Sequence, residues 1–335
     1  MTHLLRLLAL LVVLAGWTLL PAQVWTPDSL PGYERRTVWQ PDDYSGAVCT
    51  TIVRHTSRPA ARTAVLYLHG FNDYFFQSQL GDSVTAHGYG FYAIDLRKYG
   101  RSWRQGQQIC EVRDLREYFP DIDSALTVIG ADGYDSVCFM GHSTGGLVMT
   151  YYLALLEKER PQVCGLILNS PFLDMNLPAF QENILLPVVS ALRFLNIKFR
   201  QSGSNAYAQS LLRRYHGEWD YDTTLKGETS PVVTSRWTSA IYRAQRRVQR
   251  RARLSLPILL LHSSRTVGGS DWTPDFGRGD AVLDVADISK YGRRLGPDVT
   301  EVVVEDGLHD LILSRKDVRD GVYRDIFSWL GRHGW

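Results

Sequence analysis

The sequence holds few of the residues that build metal centres or nucleic-acid surfaces. Its 335 residues include 4 cysteines and 9 histidines, and these do not cluster at the spacing of zinc ligands. The 37 basic and 35 acidic residues give a formal net charge of +2, so no global field favours nucleic acid. The chain also lacks internal repeats and low-complexity tracts. We therefore expect no metal, no cofactor, no nucleic-acid partner and no repeat architecture.

Cysteine is too sparse for a disulfide framework in a chain of this length. Cys138 and Cys164 lie in apolar strand-like runs, which favours small core residues over redox groups. Cys49 and Cys110 could form a disulfide in an oxidising compartment, and the sequence leaves that alternative open.

One long apolar run is present, at residues 7–20, and Arg6 precedes it. The run is shorter than the roughly 20 apolar residues of a membrane span, and Ala22 is a small residue near a possible cleavage point. Trp17 and Trp25 could instead lie at a membrane interface. We expect residues 1–25 to be a signal peptide or an N-terminal membrane anchor. The rest of the chain is then exported, to the periplasm or the exterior, or is associated with the membrane through its N-terminus.

Strand-like runs recur along the rest of the chain, and helical periodicity lies between them. Several of the runs are apolar without alternation, which is typical of strands buried on both faces of a parallel sheet. Apolar residues at steps of three or four predict helices over residues 114–132 and 147–156. This alternation predicts an α/β fold. The strand-like runs are residues 48–53, 64–68, 90–94, 136–140, 165–168, 258–261 and 300–304.

The alternation breaks over residues 172–255, a segment rich in Leu, Phe, Arg and Trp that lacks a convincing strand. We interpret it as a helical cap inserted into a core made of residues 40–171 and 256–335. Its last helix is predicted over residues 237–253, with apolar residues on one stripe and arginines largely elsewhere. We interpret those arginines as a solvated face, and the alternative is a patch that binds anionic lipid or phosphate.

A serine bracketed by glycines ends the apolar run at residues 136–140. The sequence Gly141-His142-Ser143-Thr144-Gly145 fits Gly-x-Ser-x-Gly, the nucleophile elbow, in which a strand turns abruptly into a helix. The turn strains the serine backbone and leaves no room for side chains at the flanking positions. The helix that follows directs free N–H groups and its positive dipole end at the place where an oxyanion forms. Ser143 is therefore the candidate nucleophile.

A serine nucleophile requires a histidine base and an acid, and in this type of fold the chain order is serine, acid, histidine. His309 is the best candidate base because it lies in the loop that leaves the predicted strand 300–304 at its C-terminal end. Catalytic groups gather at that edge of an open sheet. His262 ends an earlier strand and His333 lies in the terminal tail, so both are less well placed.

The acid is expected in the long loop after residues 258–261. Between acid and histidine the chain must fit one helix, one strand and three short loops, roughly 25 to 35 residues. Asp280 precedes His309 by 29 residues, Asp275 by 34 and Asp271 by 38. Asp284 is expected to start the next helix. We favour Asp280, with Asp275 as the next candidate.

The oxyanion requires two N–H donors. The backbone N–H of Thr144, the residue after the nucleophile, is one candidate. The second is the backbone N–H of Phe71, in the loop after residues 64–68, where Gly70 lets the backbone approach the substrate. We expect His69 and His142 to orient these loops and not to react.

These motifs together resemble the α/β-hydrolase superfamily. The matching residues are Leu68-His69-Gly70-Phe71, Asp95-Leu96-Arg97-Lys98-Tyr99-Gly100-Arg101-Ser102, the elbow, and the Asp280 and His309 loops. Within the superfamily the chain is similar to the serine aminopeptidase S33 and monoacylglycerol lipase/lysophospholipase (Hydrolase_4-like) group, over about residues 40–332. The resemblance implies a mostly parallel central sheet flanked by helices, with the cap after the sixth strand. Lys98 replaces a common glycine of that group, and the acid loop is longer than usual.

The resemblance implies a carboxylic-ester hydrolase that works through an acyl-enzyme. Lipid-like monoesters, of monoacylglycerol or lysophospholipid type, are the favoured substrates because apolar cap residues suit an acyl chain. The alternatives are a peptidase of S33 type, or a non-catalytic binding protein on the same fold. The apolar cap residues are Phe180, Leu185, Leu186, Val188, Leu192 and Phe194.

Overall fold

The computed structural model describes residues 24–60, 62–178, 180–199 and 205–335. The expected signal peptide or anchor, with its apolar run at residues 7–20, therefore lies outside the described residues. Within the described ranges, no helix combines the length and the apolar composition that crossing a bilayer requires.

Nine strands in the described ranges form one sheet, in the order β1-β2-β3-β5-β4-β6-β7-β10-β11. The six strands from β5 to β11 in that order are parallel to one another, while β1, β2 and β3 form an antiparallel extension at one side. The bounds are β1 Thr26–Pro27, β2 Tyr33–Asp43, β3 Gly46–His55, β4 Thr63–Leu68, β5 Gly90–Asp95, β6 Ser136–His142, β7 Val163–Asn169, β8 Lys198–Phe199, β9 Val233–Thr234, β10 Ile258–Ser263 and β11 Val299–Val304.

The middle of the sheet is buried on both faces, which explains the apolar runs without alternation. In β4, Leu66 and Leu68 belong to the hydrophobic cluster on one face, and Val65 and Tyr67 belong to the cluster on the other. All seven strand-like runs of the sequence lie in this sheet, and their ends differ from the expected ones by two residues or fewer. The α/β class and the mostly parallel sheet are confirmed.

Helices cover both faces of the sheet. Helices α2, α3, α6 and α7 contribute to the cluster on one face, and α1 and α8 contribute to the cluster on the other. The bounds are α1 Ser78–Ala86, α2 Phe119–Ala131, α3 Thr144–Leu156, α4 Leu186–Ala191, α5 Ala206–Leu211, α6 Ser235–Arg251, α7 Val285–Gly292 and α8 Lys316–Arg332, numbered over the described residues. Short 3₁₀ helices lie at Gly100–Ser102, Leu115–Tyr118, Glu157–Glu159, Arg193–Leu195, Pro274–Gly277 and Leu311–Leu313, and a π-helix lies at Gln181–Leu185.

The helix predicted over residues 114–132 is divided in two. Asp114 caps the 3₁₀ helix Leu115–Tyr118 in a capping box with Glu117, and α2 follows at once. Pro120 lies in the first turn of α2, where its missing N–H leaves no hydrogen bond unmade. The periodicity therefore identified the helix, while the capping residues set its start.

The segment between β7 and β10 is the one interpreted as the cap. If the two-residue β1 is not counted, β7 is the sixth strand of the chain. The segment contains the π-helix, α4, α5 and α6, together with the short antiparallel pair β8 and β9, which the sequence did not predict. Trp237, Ile241 and Val248 of α6 belong to the main hydrophobic cluster of the sheet. This helix therefore packs as a layer of the core, although it lies within the sequence range interpreted as the cap.

The four cysteines are free, so no disulfide joins Cys49 and Cys110. Both thiols are buried, and burial raises the pKa of Cys49 to about 11 and that of Cys110 to about 12. Both therefore stay protonated near neutral pH, as small core residues do. Cys138 and Cys164 lie in β6 and β7, as their apolar surroundings predict.

Candidate active site

Ser143 lies between the end of β6 and the start of α3, with a backbone φ of 51° and ψ of −117°. A non-glycine residue rarely adopts such a conformation, so the turn is strained as the elbow motif predicts. The glycines around it are required by close packing. A Cβ on Gly141 would lie 2.7 Å from the Cα of Gly146, and one on Gly145 would clash with the carbonyl oxygens of Leu68 and His69.

His309 lies in the loop after β11 and reaches the serine directly. Its Nδ1–H donates to Asp280 Oδ2 at 2.8 Å, and its Nε2 accepts a hydrogen bond from Ser143 Oγ at 2.9 Å. All three side chains are buried. The three side chains therefore form one hydrogen-bond chain, in the order carboxylate, imidazole and hydroxyl that can activate a serine.

Asp280 is held by its own backbone surroundings. Its Oδ1 accepts the N–H groups of Val282 and Leu283, both at 2.8 Å, so Oδ2 is left for His309. Its backbone also pairs with the other side of the acid loop, where Val267 N–H donates to Asp280 O and Asp280 N–H donates to Arg265 O. A fully buried carboxylate in three hydrogen bonds is fixed in position.

The competing acids lie elsewhere. The Asp275 side chain is 69% exposed and lies 3.6 Å from the Arg265 guanidinium, and Asp271 is exposed. Asp284 caps the start of α7 by accepting the Ala286 N–H, as expected. Of these carboxylates, the structure brings only Asp280 to His309.

Phe71 and Thr144 both line the same cavity as Ser143. A Cβ on Gly70 would lie 3.1 Å from the Ser143 Cβ, so the loop that carries Phe71 runs directly against Ser143. In the part of the chain that the structure describes, neither the Phe71 nor the Thr144 amide is paired with another protein group. Both N–H groups are therefore available to an oxyanion.

His69 and His142 hold the loops around the site. His69 Nδ1–H donates to Gly70 O at 2.8 Å, and its Nε2 accepts the Leu96 N–H at 3.2 Å. His142 Nδ1–H donates to Asn169 O at 3.1 Å. Burial lowers the pKa of His142, and the nearby His309 lowers it further against the opposite effect of Asp310. His142 is therefore neutral near pH 7.

Asn169, at the C-terminal end of β7, was not singled out from the sequence. Its carbonyl oxygen accepts the Ser143 N–H at 3.0 Å, while its side-chain amide donates to Asp310 Oδ1 at 2.7 Å and accepts the Leu311 N–H at 3.1 Å. It therefore joins the elbow to the histidine loop. A polar residue that ends a buried apolar strand at this edge of the sheet is the signal that identifies it.

A buried ion pair joins the Phe71 loop to the segment above it. Lys226 Nζ lies 2.7 Å from Asp73 Oδ1, and Asn72 Nδ2 donates to Gly227 O at 2.8 Å. Asp73, His142 and Asp310 also present one ligand atom each within 4.8 Å of one another. Because the Lys226 ammonium already neutralises Asp73, a metal dication there would meet a like charge. The group is better suited to hydrogen bonding than to metal binding.

A cavity of about 390 Å³ opens beside Ser143 and His309. The joined loops of residues 71–73 and 226–230 supply polar side chains to it, and the acid loop and α5 supply mostly apolar ones. The cavity is therefore amphipathic. The polar lining residues include Asn72, Asp73, Lys226, Glu228 and Ser230, and the apolar ones include Phe172, Leu211, Phe276, Val282 and Leu283.

The sheet, its helical layers and a serine on a strained turn between β6 and α3 define an α/β-hydrolase. Residues 59–315 match the family Serine aminopeptidase, S33, and the chain belongs to that family. The resemblance drawn from the sequence motifs is thereby confirmed.

A curated protein and two solved structures are similar to this chain. The probable lysophospholipase L2 of Haemophilus influenzae is 22% identical over 297 residues, which cover 83% of this chain and 87% of the relative. A soluble variant of the monoglyceride lipase of Saccharomyces cerevisiae has the same fold, with a TM-score of 0.64, 16% identity and coverage of 89% and 96% of the two chains. The monoacylglycerol lipase of Paleococcus ferrophilus has a TM-score of 0.56 at 18% identity, with coverage of 80% and 94%.

Proposed function

We propose that the protein is a serine hydrolase that cleaves carboxylic esters through an acyl-enzyme on Ser143. The observation that carries the proposal is the buried hydrogen-bond chain from Asp280 through His309 to Ser143, at 2.8 and 2.9 Å. A hydroxyl is a weak nucleophile until a base removes its proton, and this geometry supplies the base and its orienting acid.

The reaction follows from that geometry in two steps. Ser143 Oγ attacks the ester carbonyl carbon while His309 Nε2 takes the hydroxyl proton, and Asp280 stabilises the imidazolium. The amides of Phe71 and Thr144 donate to the oxyanion. The bond from carbon to the alcohol oxygen then breaks, and His309 returns the proton to the leaving alcohol. Water, activated by the same histidine, attacks the acyl-enzyme and releases the acid.

Lipid-like monoesters are the proposed substrates. The amphipathic cavity fits a molecule with an apolar acyl chain and a polar alcohol, since each part finds matching side chains. The names of similar proteins, a probable lysophospholipase and monoglyceride lipases, support the same class. Monoacylglycerols and lysophospholipids are therefore the first compounds to test.

A peptidase activity is the second candidate, because the family description names a serine aminopeptidase. An aminopeptidase needs an anionic group that binds the free α-ammonium of its substrate. Among the described residues that line the cavity, Asp73 is neutralised by Lys226, and Glu228 is paired with Arg214. Because both carboxylates already pair with a cationic side chain, these ion pairs favour an ester substrate over a peptide with a free α-ammonium group. A non-catalytic role would be expected to come with a broken triad, and here all three members are within hydrogen-bond distance.

The test is a substrate panel of p-nitrophenyl esters, monoacylglycerols, lysophospholipids and aminoacyl amides, with the wild type and Ser143→Ala. We expect ester turnover that exceeds amide turnover and that falls by about 10⁴-fold or more in Ser143→Ala. A higher kcat/KM for the amides would contradict the proposal, and so would ester turnover that survives Ser143→Ala.

We also propose that the protein is exported or anchored through residues 1–25. The support is the sequence itself, in which Arg6 precedes the apolar run at residues 7–20. Fractionation of cells that express the full chain, followed by N-terminal sequencing, tests this. Full-length protein in the cytoplasmic fraction would contradict it, while a shortened chain outside the cytoplasm indicates cleavage and a full-length chain in the membrane fraction indicates an anchor.

A further inference from the structure

The long acid loop between β10 and α7 does more than carry Asp280. It extends along the cavity and contributes Gly268, Gly269, Phe276 and residues 281–283 to the lining. By the family resemblance of the sequence, this loop is expected to be longer than usual. Residues of this loop therefore form a wall of the cavity, and the same segment holds Asp280, which pairs with His309.

Phe276 is the large side chain of that wall. It lies on the 3₁₀ helix Pro274–Gly277, which packs against α5, and only 4% of its surface is exposed. A Cβ on Gly269 would lie 3.7 Å from the Phe276 ring, so the ring covers the backbone of the loop at that point. Leu211 of α5 lines the cavity with it. A buried phenyl ring thus fills space at the apolar part of the cavity.

Side-chain contacts hold the acid loop in place on both sides of Phe276. Trp272 Nε1–H donates to Ser210 Oγ at 3.0 Å. The Trp272 ring also stacks on the His216 ring, with the ring centroids 3.5 Å apart and an interplanar angle of 13°. On the other side, Arg265 Nε–H donates to Arg278 O at 3.0 Å. These contacts hold Phe276 between α5 and the sheet edge. The ring is therefore a fixed boundary of the cavity.

We propose that Phe276 is a specificity-determining residue that limits the length of the acyl chain that the site accepts. The inference rests on the proposed ester hydrolysis and assigns the acyl chain to the part of the cavity lined by the acid loop. An acyl chain gains about fourfold in binding for each methylene group that it buries, until it meets a wall. Phe276 provides that wall, so the gain ends where the chain reaches the ring.

The test measures kcat/KM for p-nitrophenyl esters of straight-chain acids from butyrate to palmitate. The readout is the ratio of each long-chain value to the butyrate value, which cancels any general loss of activity. Phe276→Ala is expected to raise this ratio by about 10- to 100-fold for chains longer than the wild-type optimum. Phe276→Trp is expected to move the optimum to shorter chains, because it adds volume at the boundary.

The matched control is Trp39→Ala, since Trp39 is a large aromatic residue of β2 that is 47% exposed and is not among the described residues that line the cavity. It is expected to leave the chain-length profile unchanged. If Phe276→Ala disturbs the loop, Phe276→Leu keeps most of the apolar volume and is expected to shift the profile in the same direction by less. Labelling by a fluorophosphonate reports whether each variant keeps a competent Ser143.

The inference is overturned if the variants keep their labelling and the profile of the wild type, or if Phe276→Ala changes the preference for the alcohol and not for the acyl chain. A merely structural role lowers all esters equally and leaves the ratio unchanged, which also overturns it. Failure of the proposed function looks different, because the wild type then hydrolyses no ester in the series.

Discussion

The residues at the sheet edge and the segments that cover them are built in different ways. We call Ser143, Asp280 and His309 the edge site, and the described residues of 172–178, 180–199, 205–234 and 264–279 the cover. The three edge-site side chains are buried and each is hydrogen-bonded to another member. The cover instead exposes large apolar side chains, such as Phe180 at 72% and Phe194 at 67%. We infer that the edge fixes the reaction and the cover selects the substrate.

The largest expected effect follows from removing the base. His309→Gln is expected to lower kcat by about 10⁴- to 10⁶-fold for every ester, because neither attack nor proton return to the alcohol has a catalyst without it. His262→Gln is the matched control, since that buried histidine pairs with Glu301 at 3.1 Å and is not among the described residues that line the cavity. Steady-state kinetics of both variants, with esters of two acyl-chain lengths, measures these values of kcat. An equal loss in His262→Gln would contradict the assignment.

The next effect compares two carboxylates of the same loop, one in the edge site and one in the cover. Asp280→Asn is expected to lower kcat by about 10³- to 10⁴-fold, because the amide favours the wrong histidine tautomer. Asp275→Asn is expected to stay within about twofold, since an exposed ion pair contributes little. Ester turnover by the two variants measures both effects. A larger loss of kcat in Asp275→Asn than in Asp280→Asn would assign the role of the acid to Asp275.

A third comparison concerns how the cover is joined to the edge. Lys226→Met leaves Asp73 buried and unpaired, so it is expected to lower the free energy of unfolding by about 3 to 5 kcal/mol. Arg213→Met removes the exposed pair with Asp220 and is expected to cost less than about 1 kcal/mol. Urea denaturation measures both. The double variant Lys226→Met/Asp73→Leu is expected to recover most of the loss, and equal losses in the two single variants would refute the distinction.

The smallest expected effect is a pH dependence of the free energy of unfolding that is caused by His142, the residue before Ser143. Because the pKa of His142 is lowered in the folded protein, the unfolded chain binds an additional proton below about pH 6.5, and stability falls as the pH falls through that value. His142→Gln is expected to reduce this fall. Urea midpoints at neutral and mildly acidic pH measure it, and a steeper fall in the variant would contradict the direction of the shift.

The edge was predictable because its signals are local. Ser143 follows from a five-residue pattern, His309 from the end of a predicted strand, and Asp280 from the chain length that one helix and one strand require. The structure brings these three residues together in one hydrogen-bond chain.

The cover was less predictable because its contacts depend on tertiary structure. The pair of Lys226 with Asp73 joins residues separated by 153 positions, and no short pattern records it. Likewise, the apolar stripe of α6 predicts a helix but not the layer on which it packs. β2 was missed because its mixture of charged and apolar residues, with Pro41, lacks a buried-strand signature and is stabilised by pairing with β3.

The most direct test of the account is covalent labelling of the wild type with a fluorophosphonate, followed by peptide mass spectrometry. We predict one adduct per chain, on Ser143, with no labelling of Ser143→Ala and strongly slowed labelling of His309→Gln. No adduct on the wild type, or an adduct on another serine, would contradict the assignment of Ser143 as the nucleophile.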